Sequence, residues 1–164
     1  MVTVPSTYYL PATEHTPNNP LPVLHYRNVL PEPRTEDGVT KFLTAHKWEK
    51  RVGVFQGTST LLLGAAGGDG VSNAGLRITV HTGDVIVLPA GTGHSSVEST
   101  DDYRYIGVYP DGCPQWKNQF GKKRIDNRTF QSEIAGVASP EEDPVYGKDG
   151  PLMQLWSQPV RANL

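Results

Sequence analysis

Gly83-Asp84-Val85-Ile86-Val87-Leu88-Pro89-Ala90-Gly91-Thr92-Gly93-His94 carries more structural information than any other run in this chain. Gly83 and Asp84 supply turn chemistry, since Gly tolerates positive φ and Asp can bond its own backbone. Val85 to Leu88 is a short, β-branched apolar run, the pattern of a strand buried on both faces. Pro89, Gly91 and Gly93 stop that strand and redirect the chain, so that His94 opens the next one. A histidine set on a rigid β scaffold is a candidate metal ligand or acid–base group.

On either side of this run the pattern is β from Val52 to Tyr109. Val52 to Phe55 leads to a turn at Gln56-Gly57, and Thr58 to Leu63 alternates into Gly64. The glycine-rich stretch Gly64 to Gly75 reads as loop. Leu76, Ile78 and Val80 alternate with Arg77, Thr79 and His81, which marks a half-exposed strand. Ser95 to Glu98, a polar turn at Ser99 to Asp102, and an aromatic strand Tyr103 to Tyr109 follow. Strands this short and evenly spaced predict an antiparallel sandwich or barrel rather than βαβ units.

Residues 1–34 form a proline-punctuated arm, with Val23 to Arg27 as its only strand candidate, expected at a sheet edge. Thr35 to Trp48 is the best helix candidate. Thr35 can cap it, Glu36 and Asp37 suit the positive end of the helix dipole, and Val39, Phe42, Leu43 and His46 share one face. Beyond Gly112 the chain is polar and irregular, with a weak helical pattern from Gln131 to Val137. Leu155 and Trp156 are expected to tie the tail to the body. The organisation predicted is one domain: arm 1–34, core 35–112 and C-terminal wrap 113–164.

The chain has 164 residues, 15 Lys and Arg, 17 Asp and Glu, 17 Gly and 14 Pro. That length can bury a core without staples. The near-neutral balance shows no basic stripe for nucleic acid and no charged tail. With the single Cys113 no internal disulfide can form, which favours a reducing compartment. The start, Met1 to Pro5, has neither a basic segment nor a long apolar run, so a soluble cytoplasmic protein without membrane contact is expected.

The spacing Gly83-x5-Pro89-x-Gly91-x2-His94 resembles the second sequence motif of the cupins, small jelly-roll β-barrel proteins. Other segments resemble the small microbial single-domain cupins. They are Pro17-Asn18-Asn19-Pro20-Leu21-Pro22-Val23 with Tyr26-Arg27, Leu43-x4-Trp48-Glu49, Gly107 to Gly112, and Asp143 to Leu152. Together these cover nearly the whole chain. The resemblance implies an all-β, cupin-type double-stranded β-helix (jelly-roll barrel), here with one short helix and irregular termini, and a homodimer.

It also implies a first motif carrying His-x-His and a Glu, which joins the second-motif histidine to hold iron, manganese, nickel or zinc. His94 matches the second-motif histidine. The first-motif ligands match nothing: read back from Gly57 without gaps, the glutamate position is Lys50 and the histidine positions are Leu43 and Ala45. The better alignment places a deletion around Lys50 to Val52, which would leave the barrel incomplete and one sheet edge exposed.

Replacement ligands are few. His46 and Glu49, at i and i+3 on the expected helix, are weak candidates, and a helix-end histidine with an exposed glutamate is the plainer reading. His81 shares a face with Arg77 and Thr79 and is read as solvated. His15 and His25 have no evident partner. Tyr103, Tyr105 and Tyr109 alternate on one strand face and are candidates for a pocket wall, with core or edge packing the competing reading. Cys113 reads as a structural thiol. Gly67-Gly68-Asp69-Gly70 lacks the lysine of a phosphate loop, Asp101-Asp102 reads as a solvated turn, and Ser95-Ser96 would matter only beside a base. The function expected is a cupin-domain protein with a degenerate or lost metal site that is non-catalytic or binds a small molecule. The alternative is a metal-dependent oxygenase, isomerase or decarboxylase acting on a small metabolite.

Overall fold

The structure is a computed structural model that describes residues 2–66, 69, 75–114 and 121–157. Strands β1 (Ser6–Tyr8), β2 (Val23–Tyr26) and β6 (Val85–Val87) form one antiparallel sheet in the order β1-β2-β6. Strand β3 (Trp48–Gln56) pairs antiparallel with β8 (Arg104–Pro110). Strand β4 (Thr58–Leu63) lies between β5 (Leu76–His81) and β7 (His94–Ser99) in a third sheet, again antiparallel. Helices α1 (Glu36–Thr44), α2 (Asn127–Ala135) and α3 (Pro151–Ser157) complete the described elements. The protein is therefore mostly β, in three antiparallel sheets, with no closed barrel among the described residues.

Local pattern explains much of this. Ile78 and Val80 are buried while Arg77, Thr79 and His81 are exposed, as period-two alternation requires. All three residues of β6 are buried, and Gly83 before it has φ +98°. A side chain at Gly83 would also collide with the Arg34 guanidinium, whose Cζ would lie 2.8 Å from the added Cβ.

Strands β2 and β6 separate two hydrophobic cores. Leu24, Tyr26, Val85 and Val87 face the first, with Leu30, Val39, Leu43, Trp48, Ile106, Val145 and Leu152. Val23 and Ile86 face the second, with Val54, Leu63, Ile78 and Val80. The first core lies beneath α1 and the C-terminal wrap; the second lies among the strands and reaches the face that carries β7.

Several expectations need correction. Strand β2 is central rather than at an edge, because Ser6–Tyr8 of the arm pairs along its other side. The helix starts as expected, with the Thr35 hydroxyl accepting from Gly38 N at 3.2 Å, but it ends at Thr44. Lys47 takes φ +59° and the chain turns, so Trp48 opens β3 and pairs with Pro110. Buried Trp48 also donates from Nε1 to the Glu142 carbonyl at 2.8 Å, a contact a helical Trp48 would forgo.

The one short helix expected becomes three among the described residues. Helix α2 begins at Asn127, before the expected Gln131, because Asp126 accepts from Arg128 N at 3.1 Å and from the Thr129 hydroxyl at 2.7 Å. Helix α3 carries no local capping signal, because its N-terminal amide on Leu152 is satisfied from outside the helix by Asp143, at 3.0 Å. Leu155 and Trp156 do tie the tail down: both pack on the first core, and Trp156 Nε1 donates to the Pro22 carbonyl at 3.0 Å. No described helix is long and apolar enough to cross a membrane.

Candidate functional site

Turn residues Pro89 to Gly93 deliver His94 to the first position of β7, where the sequence places it. Its imidazole is exposed, and Nδ1 lies 3.3 Å from the Thr92 carbonyl. Register sets His94 opposite Leu63 and Ser96 opposite Leu61. Directly opposed residues of paired strands project to the same face, so His94 shares its face with leucine side chains and Ser96.

Farther along that face three hydroxyls form a closed triangle. Ser59 Oγ lies 2.8 Å from Ser96 Oγ, Ser96 Oγ 2.7 Å from Ser99 Oγ, and Ser99 Oγ 3.0 Å from Ser59 Oγ. Ser59 is buried, whereas Ser96 and Ser99 are exposed. Ser59 also donates to the Glu98 carbonyl at 3.1 Å and accepts from the Ser99 hydroxyl, while the exposed Ser96 and Ser99 oxygens keep a lone pair free to accept.

The three tyrosines divide. Tyr103, just before β8, packs on the second core and stacks on Tyr105, with ring centroids 5.7 Å apart and planes at 28°. Burial pushes the Tyr103 phenol above its ordinary pKa, and Ser59 offsets part of that rise. Tyr105 lies opposite buried Val54 yet is 60% exposed, so a face that begins as core opens to solvent at this residue. Tyr109, at the far end of β8 opposite Glu49, is 42% exposed. Burial raises its phenol too, with Cys113 and Tyr105 adding to the effect.

His46 and Glu49 do not share a helix. His46 sits in the turn after α1, with Nδ1 3.6 Å from Glu142 Oε2 and its ring edge-on to Phe42. Glu49 lies in strand β3, and its side chain is outside the described residues. His81 is exposed as expected, with Nδ1 3.3 Å from the Thr58 hydroxyl. Cys113 is half-buried and Asp101-Asp102 form an exposed turn. Gly67, Gly68 and Gly70 of the glycine run lie outside the described residues.

The two histidines left without partners in the sequence reading both have carboxylates. His15 Nδ1 lies 3.0 Å from Asp69 Oδ1, and Asp69 also accepts from Ala66 N at 2.9 Å. Fully buried His25 meets Asp84 through Nε2 at 2.9 Å. Asp84 further accepts from Asn28 N at 2.9 Å and His81 N at 3.1 Å. Burial by itself would raise the Asp84 carboxyl, but the bonds from His25, Asn28 and His81 outweigh it and hold the pKa below the ordinary range. The same balance lowers Asp69. These pairs span 54 and 59 residues, so no local spacing announces them.

A transition metal needs nitrogen, sulfur or carboxylate donors converging within bonding distance. Around His94 the face offers leucine carbons and neutral hydroxyls, which do not fit such an ion. No group of three or more His, Cys, Asp or Glu able to hold a metal occurs among the described residues.

These features define a mostly antiparallel β protein whose third sheet carries a serine cluster and the exposed His81 and His94, while the stacked Tyr103 and Tyr105 lie at the start of β8 in the second sheet. No family model matches the chain, and no solved structure matches it. It is similar to the uncharacterized protein YjlB of Bacillus subtilis (strain 168), 29% identical over 163 residues that cover 92% of this chain and 95% of YjlB. The aligned length exceeds the part of this chain that it spans, so YjlB carries residues for which this chain has no counterpart.

Proposed function

We propose that this protein is a cupin-type jelly-roll module with a disabled metal centre, which binds a small polar organic molecule without catalysis. The surroundings of His94 carry this reading: the residues that share its face, Leu61, Leu63 and Ser96, bring no second metal donor. Tyr105, Ser96 and Ser99 instead offer an aromatic plane and hydroxyl acceptors to solvent, a combination suited to a phenol or a polyol. Two further observations support the loss of a ligand-bearing strand. Strand β3 has a register shift between Glu49 and Arg51, at the place where the sequence alignment puts the deletion. YjlB also carries residues that this chain lacks.

Metal analysis of protein purified without chelator tests the disabled centre. Iron, manganese, nickel and zinc are expected well below stoichiometry and unchanged by His94→Ala. Stoichiometric metal that disappears in His94→Ala would replace this reading with the metal-dependent enzyme. Binding is tested by ligand-observed NMR against a set of small phenols and polyols. Hits are expected that vanish in Tyr105→Ala while the melting temperature stays within about 2 °C, since Tyr105 is mostly exposed. No hits, or hits indifferent to Tyr105→Ala, would overturn the binding role.

A further inference from the structure

Strand β7 is the outermost strand of its sheet, and among the described residues it pairs only with β4. All of its residues are exposed. Natural edges are commonly blunted by proline or lysine, and His94-Ser95-Ser96-Val97-Glu98-Ser99 contains neither.

The direction of each backbone group follows from the two ends of the strand. The Gly93 carbonyl accepts from Gly64 N at 2.7 Å, and Thr100 N donates to the Thr58 carbonyl at 3.0 Å, so both residues face β4. Successive residues of a strand direct their N–H and C=O to alternate edges. Counting forward from Gly93, His94 and Ser96 face away from β4; counting back from Thr100, so does Ser99. The two counts disagree in parity, and the register shift between the Leu61–Ser96 and Thr60–Glu98 pairs reconciles them by leaving Val97 as the extra residue of a bulge.

We propose that β7 docks antiparallel against β7 of a second copy of this chain about a two-fold axis, joining two three-stranded sheets into one. The bulge makes this geometry possible. A regular strand with this many residues would place His94 and Ser99 on opposite edges, whereas here both face outward. Setting His94 opposite the second copy's Ser99 therefore gives a hydrogen-bonded pair at each end of the contact. In that register Ser95 lies opposite the second copy's Glu98, so the strand's only carboxylate meets a hydroxyl and no like charges oppose each other. Val97, 47% exposed in the single chain, lies beside the axis and is covered by the second copy. The self-compatible charge pattern and the matched edge select a second copy over an unrelated strand, and neither depends on the ligand or metal reading of His94.

Sedimentation equilibrium and hydrogen exchange on the full chain test this. The native chain is expected to dimerise, with the amides of His94, Ser96 and Ser99 becoming protected as concentration rises. Ser95→Glu sets carboxylates opposite each other twice across the axis and should loosen the dimer by about tenfold, while Ser95→Lys tightens it. Ser96→Pro removes an outward N–H without touching the β4 ladder and should also weaken association. A chain that stays monomeric at every concentration overturns the proposal. So does a dimer indifferent to all three variants, and so does protection of these amides already in the monomer, which would show that another segment of the same chain covers the edge.

Discussion

Asp143→Ala is expected to lower the melting temperature by about 10 °C, equivalent to about 3–5 kcal/mol. Asp143 has no exposed surface, and its carboxylate gathers four donors. The Tyr26 hydroxyl donates to Oδ2 at 2.5 Å, Val145 N and Tyr146 N donate to Oδ1 at 2.8 and 3.0 Å, and Leu152 N donates to Oδ2 at 3.0 Å. One side chain thus closes the turn before Gly147, caps α3 and ties both to the first core through β2. Removing it leaves a buried phenol and buried amides with no acceptor, which costs more than the bonds themselves were worth. Burial, reinforced by Asp143, pushes the Tyr26 phenol far above its ordinary range, so Tyr26 stays a donor at any working pH.

Tyr26→Phe removes one donor and keeps the ring, so a loss of about 1–2 kcal/mol is expected there. Gly150→Ala attacks the same point sterically, since an added Cβ would lie 2.2 Å from the Asp143 Cβ. Urea unfolding followed by circular dichroism ranks the variants. If Asp143→Ala unfolds within about 1 kcal/mol of the native chain, this network does not hold the C-terminal wrap.

Asp84→Ala is the second large effect, expected at about 3 kcal/mol. Asp84 accepts from His25, Asn28 N and His81 N, and so joins β2, the loop after it and the turn that follows β5. Its loss strands His25 completely, because Nδ1 of that buried ring has no partner among the described residues even in the native chain. His25→Phe in the Asp84→Ala background should recover part of the loss, since an apolar ring carries no unpaired polar atom.

The same carboxylate sets an acid limit. Its folded pKa lies below the ordinary 3.8. The stability it confers is therefore complete above that value and disappears as pH falls through the folded pKa. The urea midpoint should decline below about pH 4, and that decline should be shallower in Asp84→Ala. Asp69, lowered by the same balance of forces, leaves a residual slope. An acid limb unchanged in Asp84→Ala would assign it to other groups.

Much of the local architecture was legible. The alternation Leu76 to His81, the apolar run after Gly83-Asp84, the Thr35 cap and the arrival of His94 at a strand start all follow from rules acting over a few residues. Each is a matter of side-chain period or turn chemistry, and the chain states both directly. The common face of Tyr103 and Tyr105 was readable for the same reason, and the two rings do stack.

Other features depended on partners far away in the sequence. Ser6–Tyr8 turned an expected edge strand into a central one, and Glu142 with Pro110 gave Trp48 to a strand rather than to the helix. Tyr26 and Asp143 meet across 117 positions, and His25 and Asp84 across 59. For the candidate site the division is sharp. Residue order alone determined that His94 would stand first on the β-strand that follows a short apolar one. Only the tertiary arrangement decided its company, opposite Leu63 and next to a serine triangle at an open edge. Period and turn propensity act along the chain, whereas the neighbours of a strand are chosen by pairing between segments whose separation leaves no mark on local pattern.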